Sequence, residues 1–366
     1  MKRFFKIATA ALAIGMAATL AGCGGFTNCS SCSSCNSNAK NTTLTNSNWF
    51  PGTSYKGIQP SFIDNENAKE ILNYTVTYNG DGANNTSYSV DYTDGSYKTT
   101  FYATKINRTT LSFPEGYTAP DNKDETVYCF ETEFEIKVKY KLKSGTESDW
   151  LDDSITTKCY FRAAGNNLQP VYSERSCVTH IPVNASAGSL ESAYKEFSVS
   201  YINYYTYDCA YVTTVTQENG EEKTDVRRLK TNNSLFDNEE LYIAVRSMKN
   251  SSGSQTVSVY IPADGGLVDR SINASSAGLG DEDRKNVTAV LTENGLYKPS
   301  GEDDAGVTTV AADIARTDGR GVTQTVWYAA ITDADNNVSR STMLKMTMPL
   351  SYGLGALNFV LSKVGE

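Results

Sequence analysis

The sequence predicts a mainly β protein built on a large curved antiparallel sheet, a half-barrel or a sandwich, with about one covering helix. Three observations lead there. Apolar and polar residues alternate along much of the chain beyond residue 70, while apolar residues at helical spacing are scarce. The aromatic content is dominated by 23 tyrosines, a residue type that suits pleated, half-buried surfaces. Residues 130–142 put Phe130, Thr132, Phe134, Ile136, Val138, Tyr140 and Leu142 on one face and Glu131, Glu133, Glu135, Lys137, Lys139 and Lys141 on the other. A sheet holding that strand is covered on one side and wet on the other. Strands of such length exceed the usual five or six residues and must bend or curl.

The chain opens differently. Lys2, Arg3 and Lys6 precede an apolar run from Ile7 to Leu20, the pattern of an export signal over residues 1–22. The run is shorter than the ~20 residues that span a bilayer, and it ends in Leu20-Ala21-Gly22-Cys23. That quartet resembles the lipobox of bacterial lipoproteins, a likeness confined to the first two dozen residues. It implies that Cys23 is acylated, that cleavage makes it the first mature residue, and that the protein sits lipid-anchored on the outer face of the bacterial cell membrane or in the cell envelope. Two or more acyl chains anchor stably where one is marginal.

Residues 23–48 are Gly, Ser, Asn, Thr and Cys with little to bury, and read as a flexible tether of about 25–30 Å reach. Cys29, Cys32 and Cys35 have C-x2-C-x2-C spacing, but no fourth cysteine followed by proline completes an iron–sulfur run. The chain's one histidine, His180, is remote from them in sequence, and a zinc site wants four ligands. They read as tether cysteines, with disulfides the chemical alternative outside the cell. No metal or other cofactor is expected.

Residues 49–366, from Trp49-Phe50-Pro51 onward, form the body, with a possible division near 232–236. Without residues 1–22 the chain keeps 30 Lys and Arg against 42 acids, a net charge of −12. An acidic chain without a basic patch argues against nucleic acid as a partner. Leu72, Tyr74, Val76 and Tyr78 alternate as a first strand, and Asp94-Gly95 predicts a two-residue hairpin between 87–92 and 96–106. A partner strand carries Ile155, Cys159 and Phe161, another follows Pro170, and residues 195–217 read as one long extended run. Asn219-Gly220 predicts a hairpin returning through Val226 and Leu229. A helix is expected near 238–249, with Leu241, Ala244, Val245 and Met248 on one face. A strand at 255–261 follows, and 263–306 reads mostly as loop, with at most a short element around Val287–Leu291. A hairpin of 322–332 and 338–348 and a strand through Leu357, Phe359 and Leu361 close the chain.

Chemistry-bearing motifs are sparse. His180 lacks a nucleophile elbow and reads as a surface or strand-edge histidine. Asp333-Ala334-Asp335-Asn336-Asn337 starts like a calcium loop, but Val338 stands where Gly belongs and Leu344 where Glu belongs. Asp152-Asp153 and Asp281-Glu282-Asp283 are acids a glycosidase would use only if placed across a cleft. Cys129, Cys159, Cys177 and Cys209 allow three disulfide connectivities or none. The most suggestive surface is the odd face of the extended run, where Tyr201, Tyr205, Tyr207 and Tyr211 would line a ligand groove or fill a core. Loosely, the body resembles the half-barrel carriers of lipids or lipoproteins among bacterial lipoproteins, with no residue of a family site carried over. The leading expectation is a non-catalytic, lipid-anchored binding or carrier protein for a hydrophobic or glycan ligand. An anchored glycan hydrolase and a structural or adhesive surface protein are the alternatives. A greasy concave groove would favour the carrier, a deep acidic pocket the hydrolase, and a filled core with flat outer faces the adhesin.

Overall fold

The computed structural model describes residues 69–113, 124–164, 167–205, 209–218, 221–230, 235–238, 240–246, 254–261, 266–301, 304–319, 321–333 and 338–365. Among them the chain forms β1 (Glu70–Asn79), β2 (Tyr88–Tyr92), β3 (Gly95–Asn107), β4 (Asp124–Leu142), β5 (Leu151–Ala164) and β6 (Asn167–Pro182). A short helix α1 (Leu190–Ala193) leads into β7 (Tyr194–Tyr205), β8 (Cys209–Glu218), β9 (Glu221–Lys230) and β10 (Leu235–Asp237). Then come α2 (Glu240–Val245), β11 (Ser254–Ile261), β12 (Gly266–Ser275), α3 (Asp281–Glu293), β13 (Val310–Arg316), β14 (Gln324–Asp333), β15 (Val338–Pro349) and β16 (Ala356–Val364). All sixteen strands belong to one sheet in the order β10-β11-β12-β13-β14-β15-β16-β1-β3-β4-β5-β6-β7-β8-β9, with β2 also on β4. Every pairing is antiparallel except β10 with β11. Strands from before and after residues 232–236 therefore share one sheet. The class is mainly β, and the sheet is large and curved, as the alternation predicts.

β4 follows its sequence pattern residue by residue. Phe130, Thr132, Phe134, Ile136, Val138, Tyr140 and Leu142 are buried, and the Glu and Lys residues between them face water. The buried row continues across the register: Tyr97 faces Phe134, which faces Ile155, which lies two and four residues from the buried Thr157 and Cys159. On the far side, Phe359 meets Tyr97 edge-on at 5.6 Å and Phe134 at 6.0 Å. Tyr74, Val76, Val326, Met346, Met348, Leu357 and Leu361 belong to the same buried cluster, with Leu241, Ile243 and Val245 of α2. The greasy side of the sheet is the inside of the molecule, and it is filled by the chain's own side chains.

A short strand at one end holds the curl. β10 lies against the inner side of β6, where buried Asp237 accepts hydrogen bonds from Ser173 Oγ at 2.6 Å, Asn203 Nδ2 at 3.4 Å and the Tyr205 hydroxyl. Just beyond α2, Arg246 pairs with Glu70 of β1 at 2.5 Å, both largely buried, and stacks over Phe101. Beyond this closure β8 and β9 run on as a ribbon whose outermost strand is mostly exposed.

Four expectations need correcting. Asp94-Gly95 is not a hairpin: β2 and β3 both run along β4, with Tyr92 opposite Val138 and Ser96 opposite Glu135, so the dipeptide inserts one extra residue into a continuous edge. Glycine is needed there for space, since a Cβ would lie 2.7 Å from the Glu135 carbonyl oxygen and 2.8 Å from Ile136. The run 195–217 is a hairpin: Tyr205 pairs with Ala210, and the chain reverses across 206–208, outside the described residues. The helix near 238–249 is the short α2, buried through Leu241, Tyr242, Ile243 and Val245. The short element expected around Val287–Leu291 is the longest helix among the described residues, α3, and the stretch expected as loop around it also holds β12, with β13 beyond. α3 packs on β16 through Val287 and Leu291, and Asp283 pairs with Lys345, a residue alternating with buried Leu344 and Met346. α3 therefore covers the outer side of the sheet over β15 and β16, in the middle of the strand order.

Replacing Asp237 with Ala strands the buried hydroxyls of Ser173 and Tyr205 and leaves Asn203 Nδ2 with Ser173 Oγ at 2.9 Å. We expect a loss of roughly 3–5 kcal/mol, read by urea unfolding, against under 1 kcal/mol for Asp152→Ala, whose carboxylate is exposed on the outer side of β5 and pairs only with an exposed lysine.

Candidate functional site

Among the described residues, the outer side carries a groove with room for a ligand. The antiparallel register brings residues far apart in sequence into rows that cross the strands. One row is Glu133, Thr156, Ser176, Ser200 and Val215 on β4 to β8. The neighbouring row is Glu131, Lys158, Glu174, Ile202 and Thr213. Together they line a groove of about 460 Å³. Thr132, Thr157, Arg175 and Tyr201 also border it, although their side chains alternate to the buried side. The first row sets the hydroxyls of Thr156, Ser176 and Ser200 as a floor between Glu133 and Val215, and the second raises the longer side chains of Glu131, Lys158, Glu174 and Ile202 as a wall that ends at Thr213.

The wall is held rigid. Lys158 Nζ pairs with Glu131 at 2.9 Å and lies 5.6 Å from the centre of the Tyr160 ring. Tyr102 donates to Glu131 at 2.9 Å, and Tyr172 to Glu174 at 3.1 Å. Burial pushes the Glu131 carboxyl up, but the hydrogen bonds and charge of Lys158 and Tyr102 outweigh it and hold the group below the ordinary carboxylate range. Behind the wall lies a second apolar cluster on the outer side: Ile106, Val127, Cys129, Tyr160, Val171, Tyr172 and Tyr204. Residues 107–113 cap it. Asn107 accepts from the Thr109 amide, Arg108 forks onto Glu125 and donates to the Tyr204 hydroxyl at 2.6 Å, and Phe113 meets Tyr204 edge-on at 5.2 Å. Burial pushes the Cys129 thiol up to about 12, so it stays protonated and unreactive beside the groove.

Of the sequence-predicted residues, Tyr201 borders the groove. Tyr201 and Tyr205 are buried on the inner side of β7, Tyr205 against Asp237, and so belong to the core. Tyr207 lies outside the described residues, and Tyr211 is in β8 opposite Tyr204. The expected tyrosine face is divided by the chain reversal. Cys23, Cys29, Cys32 and Cys35 also lie outside the described residues. Cys129, Cys159 and Cys177 are buried free thiols, and Cys209 pairs through its backbone with Lys230 in β9.

The acid clusters do not converge. Asp152 is exposed and pairs with Lys137 at 2.9 Å, while Asp153 points to the buried side. Asp281, Glu282 and Asp283 form the first turn of α3, where acids complement the helix dipole. Asp333 pairs with Val338 across the hairpin, and 334–337 lie outside the described residues. Among the described residues no group of three or more His, Cys, Asp and Glu side chains could hold a metal ion.

His180 is the largest departure from expectation. It is buried rather than at the surface: Asp153 Oδ1 accepts from its backbone amide at 2.9 Å and meets Nδ1 at 2.8 Å. Nε2 faces Glu196 at 3.4 Å, and the His180 carbonyl accepts from the Tyr140 hydroxyl at 2.9 Å. Asp153 Oδ2 is buried with no partner. Burial alone would lower the imidazole pKa, but the hydrogen bond and charge of Asp153, helped by Glu196, carry it above its ordinary value.

No family model matches the chain, and no curated protein matches it. Among solved structures it is similar to a β-barrel-like protein of a domain of unknown function, DUF1849, from Brucella abortus. The TM-score is 0.41 at 11% identity, covering 81% of this chain and 97% of that one.

Because the folded pKa of His180 is raised, its pairing stabilises fully below the ordinary histidine value of about 6.5 and fades as pH rises through the folded value. His180→Ala, which removes the chain's one histidine, should lose about 2–4 kcal/mol at pH 6 by stranding Asp153. Urea unfolding across pH 5.5–8.5 should show parent stability falling as pH rises, because burial also holds the Asp153 carboxyl above its ordinary range and His180 is what pulls it down.

Proposed function

We propose that this chain is a lipid-anchored, extracytoplasmic binding protein, held by acylated Cys23 on the outer face of the bacterial cell membrane or in its envelope, whose body presents the outer groove to a polar ligand. The observation that carries this reading is the division of the sheet. Its inner side is filled with side chains such as Val76, Val138 and Phe359, each fully buried, while its outer side carries a groove floored by hydroxyls. A carrier of free lipid needs an unfilled apolar interior, so a polar ligand fits better. A hydrolase needs two acids facing one cleft. Asp152 and Asp153 point to opposite sides, and all three groove acids are engaged: Glu131 with Lys158 and Tyr102, Glu133 with Lys98 at 3.4 Å, and Glu174 with the Tyr172 hydroxyl.

The adhesive or structural reading draws on the same filled core. It differs at the groove, which is bordered by the buried, unpartnered hydroxyl of Thr213.

The anchor is tested directly. Detergent-phase partitioning after export should recover the parent in the detergent phase and Cys23→Ser in the aqueous phase. Equal partitioning of the two would remove the lipid anchor from the proposal.

A further inference from the structure

Resting on the reading of the groove as a binding site, we propose that its occupant is a linear glycan lying across the strands, uncharged or amino-substituted rather than acidic. Thr156, Ser176 and Ser200 are direct cross-strand neighbours, so their hydroxyls form a ladder perpendicular to β5, β6 and β7. Neighbouring strands stand about 4.8 Å apart, so the rungs repeat at that spacing and the five strands from β4 to β8 span about 19 Å. That repeat is close to the rise of one pyranose ring in an extended β-1,4-linked chain. It is well above the ~3.3 Å rise of an extended peptide. One hydroxyl per ring gives a chain of sugars a partner at each step.

Two further features agree. No described group takes up the hydroxyls of Thr156, Ser176 and Ser200, and Thr213 Oγ1 is buried at the groove wall with no partner. The groove is lined by three carboxylates, on Glu131, Glu133 and Glu174, against two cations, Lys158 and the largely buried Arg175, on a chain of net charge −9. A uronic-acid polymer would be repelled along this path, whereas ammonium groups would be drawn to the β4 end.

The test uses the mature body in calorimetric titrations with three soluble probes: a β-1,4-linked glucosamine hexamer, a galacturonate hexamer and an extended Lys-Ser decapeptide. The glucosamine hexamer should bind and the galacturonate hexamer should not. Ser176→Trp and Ser200→Trp, which fill the floor from an outward-facing position, should abolish binding with thermal melts unchanged. Ser154→Trp, on the same side but outside the groove, should bind as the parent does, and Ser176→Ala should weaken binding by about 3- to 10-fold. Hexamer binding that survives both Trp variants overturns the proposal. Binding of the peptide alone, lost in the Trp variants, overturns the glycan and leaves the groove a binding site. Silence of all three probes overturns the glycan and the groove reading together.

Discussion

Asp237 is the point at which the sheet meets itself. Every strand from β1 to β7 carries an apolar side, and each of Phe134, Val138 and Tyr140 would forgo about 1.5–3 kcal/mol if left in water. An open sheet has nothing to cover that side. β10 supplies the closure by resting on β6, and the single carboxylate of Asp237 gathers donors from Ser173, Asn203 and Tyr205 there. A charge so deeply buried persists only when hydrogen-bonded, which makes the closure specific: a shifted β10 would leave the carboxylate and its donors unpaired. Arg246 on Glu70 fixes the next stretch of chain in the same way.

That closure divides the molecule's chemistry. Inside, the polar groups serve structure: Thr132 bonds Thr157 at 2.6 Å, and His180 bonds Asp153. Outside, most charged residues are solvated, and surface pairs such as Lys137 with Asp152 add little. The groove differs because its wall is braced from behind by tyrosines of the capped apolar cluster. A braced wall beside a floor of small side chains keeps its shape without a ligand, which lowers the ordering cost of binding.

Much of the fold was legible in the sequence, because period-two alternation is a direct readout of one-sided burial. β4 could be assigned side chain by side chain, and Asn219-Gly220 and the 333–338 turn marked real hairpins. What failed did so for identifiable reasons. The reversal after Tyr205 carries no glycine, so alternation read straight through it. Asp94-Gly95 has the composition of a hairpin turn, but glycine serves there to let β4 approach. α3 buries only Val287 and Leu291, too thin a stripe to stand out, although its acidic first turn and the trailing Gly295 were available signals. The groove was illegible altogether. Thr156, Ser176 and Ser200 lie on three separate strands and become neighbours only through register, and none of them is unusual in its local sequence.

The account stands on the interior being filled by the protein itself. Native mass spectrometry of the body, released from its own membranes under mild conditions and run beside a lipid extract of the same sample, tests that most directly. The account predicts the bare polypeptide mass and no lipid recovered in proportion to protein. A stoichiometric lipid adduct that survives gentle activation would contradict it, because a bound lipid requires an apolar cavity where Val76, Phe134, Val138 and Phe359 now meet.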